Sequence, residues 1–285
     1  EQWLKLWYSV YVEPQVRYST REFYHNAIDH HIIPKLGSVK LEKLTMLQIQ
    51  QFYNELLKSG RVQKKNQPEL KEHSLSPRMV QSVHVVLNKA LEHAVEEKLI
   101  LANPAKKCKI PKNTRKEMNV LPETLIGPYL SAAKEHGILA PMYLELTTGL
   151  RRGELCGLRW SDVDLEHQTI TIENTRTQAG KKEIEKGTKT ASSTRTLYLP
   201  DTLCDMLKAA KEHQQACRAE YKNAYDDNDY VVVMEDGRPF RPNYLSELFG
   251  KFLADNDLPK IVLHELRHTF ASLSNQAGIP AYNIG

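Results

Sequence analysis

Long apolar runs are missing from this chain. No stretch of its 285 residues approaches the roughly 20 consecutive apolar positions of a membrane-spanning helix, and no signal peptide opens it. Cysteine is scarce. Cys108, Cys156, Cys204 and Cys217 lie far apart with no C-x-x-C pair, which argues against a disulfide framework or a cysteine zinc site and fits a reduced, cytoplasmic setting. Overall charge is small too: a net +4 points only weakly to an acidic partner, so the placement of the cations matters more than their sum. With 41% hydrophobic and 26% charged residues, the chain has the composition of a globular protein and is long enough for two domains. Apolar residues recur at helical spacing from the start (Trp3, Leu6, Trp7, Val10), so the chain is expected to begin inside or just before a helix and to be part of something longer.

The cations cluster. Between Pro104 and Glu117 the sequence reads "PAKKCKIPKNTRKE", placing Lys106, Lys107, Lys109, Lys112, Arg115 and Lys116 in a run whose two prolines and lack of helical period mark a linker. Its charge fits a solvated tether and a segment lying along a phosphate backbone equally well. Residues 1–104, before this linker (105–120), have the pattern of a small all-α domain. Ser19 with Glu22 forms a capping box for a helix carrying Phe23, Ala27 and Ile32 that stops before Pro34 and Gly37. Thr45 caps a second helix with Ile49, Phe52, Tyr53, Leu56 and Leu57 on one face and Gly60 at its end. Ser76 and Pro77 start a third, striped by Val80, Val83, Leu87, Leu91 and Ala94.

Residues 121–285 read as mixed α and β, with a small antiparallel sheet. "QTITIEN", a charged run around Ile184, and "TRTLYLP" are strand-like, and between the last two "KGTKTASS" puts Lys189 at a hairpin tip, where lysine is usually a solvated surface residue. A helix follows Pro200 as far as Tyr225, then the apolar strand "YVVVM", the turn "EDGRP" and a helix with Leu245, Leu248 and Phe252. On a helical wheel of "GLRRGELCGLRW", Arg151 falls between Leu155 and Leu158 inside the apolar stripe, while Arg152 and Arg159 point away. A charge there needs a partner, and Glu154 is within reach. For these two residues alone a structural ion pair is the plainer reading.

"HELRH", residues 264 to 268, has two incompatible readings. As H-E-x-x-H it supplies His264 and His268 as zinc ligands with Glu265 as general base. As His-x-x-Arg it supplies His264 and Arg267, one helical turn apart, as donors to a phosphate. A zinc site needs a third ligand, and "SNQAGIPAYNIG" after the helix offers no His, Glu, Asp or Cys. A satisfied surface histidine pair is the third option.

"TTGLRRGEL", "GTKTASSTRTLYLP" and "HELRHTFAS", in this order behind a helical domain and a basic linker, resemble the tyrosine recombinase (integrase) family, most of all integrases of phages and conjugative transposons. "HIIPKLGSVKLEKLT" and "LSPRMVQSVHVVLNKALEHAVEEKLILANPA" are similar to that family's core-binding domain. The resemblance implies a small all-α core-binding domain followed by a mixed α+β catalytic domain. It matches Arg151 to the first catalytic arginine, Glu154 to the acid that supports it, Lys189 to the hairpin lysine, and His264 and Arg267 to the His-x-x-Arg pair. It implies double-stranded DNA as partner, a homo-oligomer of two to four copies on that DNA, and no metal or other cofactor. In the family a further His or Trp and then the nucleophilic tyrosine follow this helix. Tyr282 comes too soon by that spacing, so the nucleophile is expected beyond Gly285. A type IB topoisomerase-like enzyme and a DNA-binding relative without catalysis are the alternatives, with a metalloprotease more remote.

Overall fold

Residues 1–63, 69, 72–113, 119–179, 182–187 and 194–276 are described by the computed structural model, and the account below concerns them; Lys189, Arg115, Lys116 and Tyr282 lie outside the described residues. The chain forms two compact units, Glu1–Lys116 and Glu117–Gly285.

The first unit is helical: α1 (Gln2–Trp7), α2 (Tyr18–Asn26), α3 (Ile33–Leu36), α4 (Met46–Ser59) and α5 (Pro77–Glu96). Thr45 caps α4 as its sequence suggests, with Gln48 Oε1 accepting the Thr45 N–H at 2.9 Å while Thr45 Oγ1 accepts the Gln48 N–H at 3.3 Å. Ser76 Oγ does the same for Met79 at the start of α5. The expected capping box at Ser19 is not formed. The helix starts two residues earlier, at Tyr18, behind an extended Arg17, so Ser19 lies inside the first turn. Nor does this helix stop before Pro34. Wider π-type turns over Ala27–Ile32 lead into α3, and Pro34 falls in the first turn of α3. Trp7, Ile32, Ile49, Tyr53, Leu87 and Leu91 are fully buried among these helices, each contributing about 1.5–3 kcal/mol by leaving water.

In the second unit α6 (Ile126–Glu135) and α7 (Leu139–Thr148) precede the short α8 (Arg152–Leu155). Strands β1 (Val163–Asp164), β2 (Thr169–Ile172) and β5 (Arg195–Tyr198) form an antiparallel sheet in the order β1-β2-β5, while β3 (Asn174–Ala179) and β4 (Lys182–Gly187) pair as a separate hairpin. "QTITIEN" is thus divided at Glu173 between two sheets. Then come α9 (Asp201–Tyr221), α10 (Pro242–Asp255) and α11 (Leu263–Gln276). The expected strand at "YVVVM" is not one. Tyr230 and Val233 make only isolated bridges, to Arg159 and Pro239, and the buried Val231 and Val232 bond by backbone to Leu158 and Phe240 on either side without a continuous ladder. The core is built from Tyr129, Met142, Leu144, Leu150, Phe249 and Leu266. No helix among the described residues is long and apolar enough to cross a membrane.

Candidate active site

The site begins at a glycine. Gly149 ends α7 in a left-handed conformation (φ 60°), and a Cβ there would meet the Phe270 ring of α11 at 2.4 Å. Its carbonyl oxygen accepts a hydrogen bond from the Arg267 guanidinium. The turn that ends α7 therefore both receives α11 and fixes one of its arginines.

The left-handed residue interrupts the helix that a wheel through "GLRRGELCGLRW" assumes. Arg151 is the extended residue capping α8 (φ −71°, ψ 147°) rather than part of the apolar stripe, and its side chain is 58% exposed. Leu155 and Leu158 are buried as expected. Arg152, expected to point away, is half-buried and donates to Ser246 Oγ at 2.8 Å. The partner of Arg151 is the expected one: Glu154 accepts the Arg151 backbone N–H at 2.9 Å and its guanidinium at 2.9 Å.

Glu154 holds a second arginine that the sequence did not single out. Arg195 of β5 grips both carboxylate oxygens, at 3.1 and 2.8 Å. The available signal was strand alternation: Arg195 shares the inward face with Leu197, and an inward arginine calls for a buried anion. Burial pushes the Glu154 carboxyl upward, but hydrogen bonds from Arg195 and Arg151 outweigh it and bring the pKa down to about 2. Close packing of α8 on the β3–β4 hairpin helps hold this carboxylate in place. A Cβ on Gly153 would lie 2.5 Å from Thr175 Oγ1.

Arg267 and His264 complete the cluster from α11. Burial first, then the charges of Arg151 and Arg195, act against the Arg267 cation, while Glu154 and Glu145 favour it. His264 lies on the solvent side of the helix, edge-on to His268 with ring centroids 5.1 Å apart. Burial, followed by the nearby His268, Arg267 and Arg151, holds its imidazole below the ordinary value, so the neutral ring is favoured near pH 7. Glu265 is engaged elsewhere: its carboxylate accepts the backbone N–H groups of Val262 at 2.7 Å and Asn119 at 3.2 Å, tying the entry of the unit to α11. That is a structural use of the residue which the zinc reading needs as a base.

Glu145 of α7 is also new. It is fully buried, neither carboxyl oxygen has a hydrogen-bond partner among the described residues, and burial raises its pKa well above the usual carboxylate range against the pull of Arg152 and Arg267. Among the described residues the guanidiniums of Arg151, Arg195 and Arg267 gather at the Glu154 carboxylate, and that of Arg151 reaches solvent. Fixed N–H donors beside a neutral imidazole suit an anion whose charge grows as it reacts.

Comparison with known proteins gives the family and the fold. A model described as the phage integrase family matches residues 129–284, more than half of the chain. The chain belongs to the phage integrase family. A second model, the phage integrase N-terminal SAM-like domain, matches residues 1–57. Among curated relatives, a tyrosine recombinase XerC-like protein of Caldanaerobacter subterraneus subsp. tengcongensis is 27% identical, the match covering 88% of this chain and 65% of the relative. The ICEBs1 integrase of Bacillus subtilis is 25% identical over 90% of the chain and 67% of its own length. The chain thus spans about two thirds of the length of these relatives. The Tn1549 transposon integrase, solved in complex with transposon right end DNA, superposes with a TM-score of 0.81 at 18% identity, covering 99% of this chain and 88% of that one. A lambda integrase dimer bound to a core site gives 0.73 at 18% identity, over 99% and 92% of the two chains. These likenesses show a shared fold: a helical domain followed by a catalytic domain with small antiparallel sheets.

Proposed function

We propose that this phage integrase family member cleaves and rejoins DNA strands as a site-specific recombinase. The observation that carries this is the exposed Arg151 guanidinium, held from behind by buried Glu154 and placed beside His264 and Arg267. In this reading a tyrosine hydroxyl, from a residue following Gly285 in the parent protein, attacks a DNA phosphorus. The bond to the 5′ oxygen breaks, leaving a 3′-phosphotyrosine and a free 5′-hydroxyl. Attack by a partner strand's 5′-hydroxyl reverses the step and completes the exchange. Arg151, Arg267 and His264 meet the charge that builds on the non-bridging oxygens. Lys189 gives its proton to the leaving 5′ oxygen. The bond energy is kept in the phosphotyrosine, so no metal or nucleotide is called for.

The division of labour follows the sequence: a DNA-binding helical domain over 1–104, a basic connector over 105–120 and a catalytic domain over 121–285. Lys106, Lys107, Lys109, Lys112, Arg115 and Lys116 contact phosphates in the connector. The partner is duplex DNA, bound by two to four copies in the cytoplasm. The solved lambda integrase dimer on a core site and tetramer on a Holliday junction support that assembly.

The test is a comparison of neighbours in the parent protein. Losing a transition-state donor costs about 2.7–4 kcal/mol, roughly a hundredfold to a thousandfold in rate. Arg151→Ala is expected to lose cleavage to that extent while keeping DNA affinity, and Arg152→Ala, whose partner is Ser246, to do far less to the cleavage rate. Equal losses from the two would sink the assignment of Arg151.

A further inference from the structure

The basic stretch is built as a strap rather than a tether. Asn103 begins it with an Asx turn, its Oδ1 accepting the Ala105 N–H at 2.8 Å while its amide donates to Asn88 Oδ1 at 2.9 Å and to the Asn88 carbonyl at 3.2 Å. Ala105 is fully buried and Cys108 is half-buried, with its thiol near the Met46 carbonyl. Gln50 of α4 then makes both backbone bonds of Lys109, accepting its N–H at 2.7 Å and donating to its carbonyl at 3.1 Å. Gln81 of α5 donates to the Pro111 carbonyl at 2.7 Å. Lys106, Lys107, Lys109 and Lys112 are all exposed. Between them Ala105, both backbone groups of Lys109 and the Pro111 carbonyl are anchored, so the exposed lysines sit on a run held at several points.

We propose that Gln50 and Gln81 are positioning residues that pre-order this strap on the helical unit so that its lysines meet one phosphate backbone without a further ordering cost; this rests on the DNA-binding reading above. A flexible segment must lose backbone freedom when it binds, whereas a segment already bonded to a rigid helix pair has lost it on folding. Two long side chains satisfying three backbone groups on the same extended run do what a neighbouring β-strand would do. Affinity is thus set by two separable quantities. The lysines set how many counterions are released and hence the salt slope, and the glutamines set the intercept.

The experiment uses the parent protein and a duplex carrying its recombination site, with binding titrated across a range of salt concentrations. Gln50→Met with Gln81→Met keeps side-chain length and removes all three bonds at half-buried surface positions. The expected result is roughly tenfold weaker binding at every salt concentration with the slope unchanged, about the cost of reordering one backbone residue. In the free protein, the Lys109 amide should change from slow to fast hydrogen exchange, while the α4 and α5 amides keep their protection. That pattern separates positioning from a general loss of structure, and each single variant serves if the double does not fold. Unchanged affinity in the glutamine variants, or a Lys109 amide that already exchanges freely without substitution, overturns the proposal. Lys109→Ala with Lys112→Ala tests the underlying reading: its slope should fall by about one unit per lost contact. A slope that falls for the lysines with no effect from the glutamines defeats the pinning alone. A slope that the lysines do not move defeats the phosphate contact and the proposal with it.

Discussion

Replacing Glu154 by Gln removes one negative charge from the point where two arginines converge, and its cost follows from the structure. The carboxyl is only 5% exposed, and its pKa lies at about 2 against 4.5 for a free glutamate. At about 1.4 kcal/mol per unit, that difference corresponds to about 3 kcal/mol favouring the ionised form in the folded state. The comparison agrees with the cost, about 3–5 kcal/mol, of removing one partner from a buried pair. Because the folded pKa is depressed, this stability is complete above about pH 4.5 and is lost as the pH falls toward 2. Urea unfolding of the second unit measures it. Trp3 and Trp7 belong to the first unit, so in a Trp3→Phe, Trp7→Phe background the fluorescence of Trp160 reports on the second. At pH 7, Glu154→Gln is expected to lower the unfolding free energy by about 3 kcal/mol, with the difference from the parent shrinking between pH 4.5 and 2. Arg195→Lys should lose less than Arg195→Met, since it keeps the charge but not the two-pronged grip. A loss under about 1 kcal/mol, or a Glu154 carboxyl that titrates near 4.5 by carbon NMR, would refute the argument that the arginines outweigh burial.

Three further outcomes are expected. A 5′-sulfur at the scissile bond leaves without a proton, so Lys189→Ala in the parent protein should cleave that substrate at close to the unsubstituted enzyme's rate while staying slow on ordinary DNA. Arg151→Ala should not be rescued, and equal rescue of both would remove Lys189 as the general acid. Gly149→Ala forces a side chain into a left-handed position against Phe270; thermal unfolding should show a loss of about 1–3 kcal/mol. A stability equal to the parent's would mean that the turn adjusts freely. For Glu145 the raised pKa gives stability that is full below pH 4.5 and falls as the pH rises toward the folded value. Glu145→Met should therefore gain on the parent as the pH rises above 4.5 in paired denaturation curves, and a difference that does not vary with pH would show that Glu145 is ionised in the fold.

How much of this was legible in the residues depends on the range of the forces involved. Local signals were read correctly where the physics is local: the caps of α4 and α5, and the pairing of Arg151 with Glu154 three residues away. They failed where a neighbour in space changed the local choice. π-type turns carried a helix through Pro34, and Val231 and Val232 were buried beside isolated bridges rather than in a strand, although each segment's own pattern argued otherwise.

The site divides in the same way. Composition and period were enough to expect two domains and the basic run, and the family resemblance carried by the motif order put forward Arg151, Glu154, His264 and Arg267 as candidates, because each of these motifs lies within a few residues. Arg195 reaches Glu154 across 41 positions, the Arg267 guanidinium meets the Gly149 carbonyl across 118, and Gln50 holds Lys109 across 59. Long separations of that kind leave no periodic trace in a single sequence. Only the packed fold decides which of many polar side chains must be paired, because leaving a buried charge or backbone group unpaired costs more than the local preferences that a sequence displays.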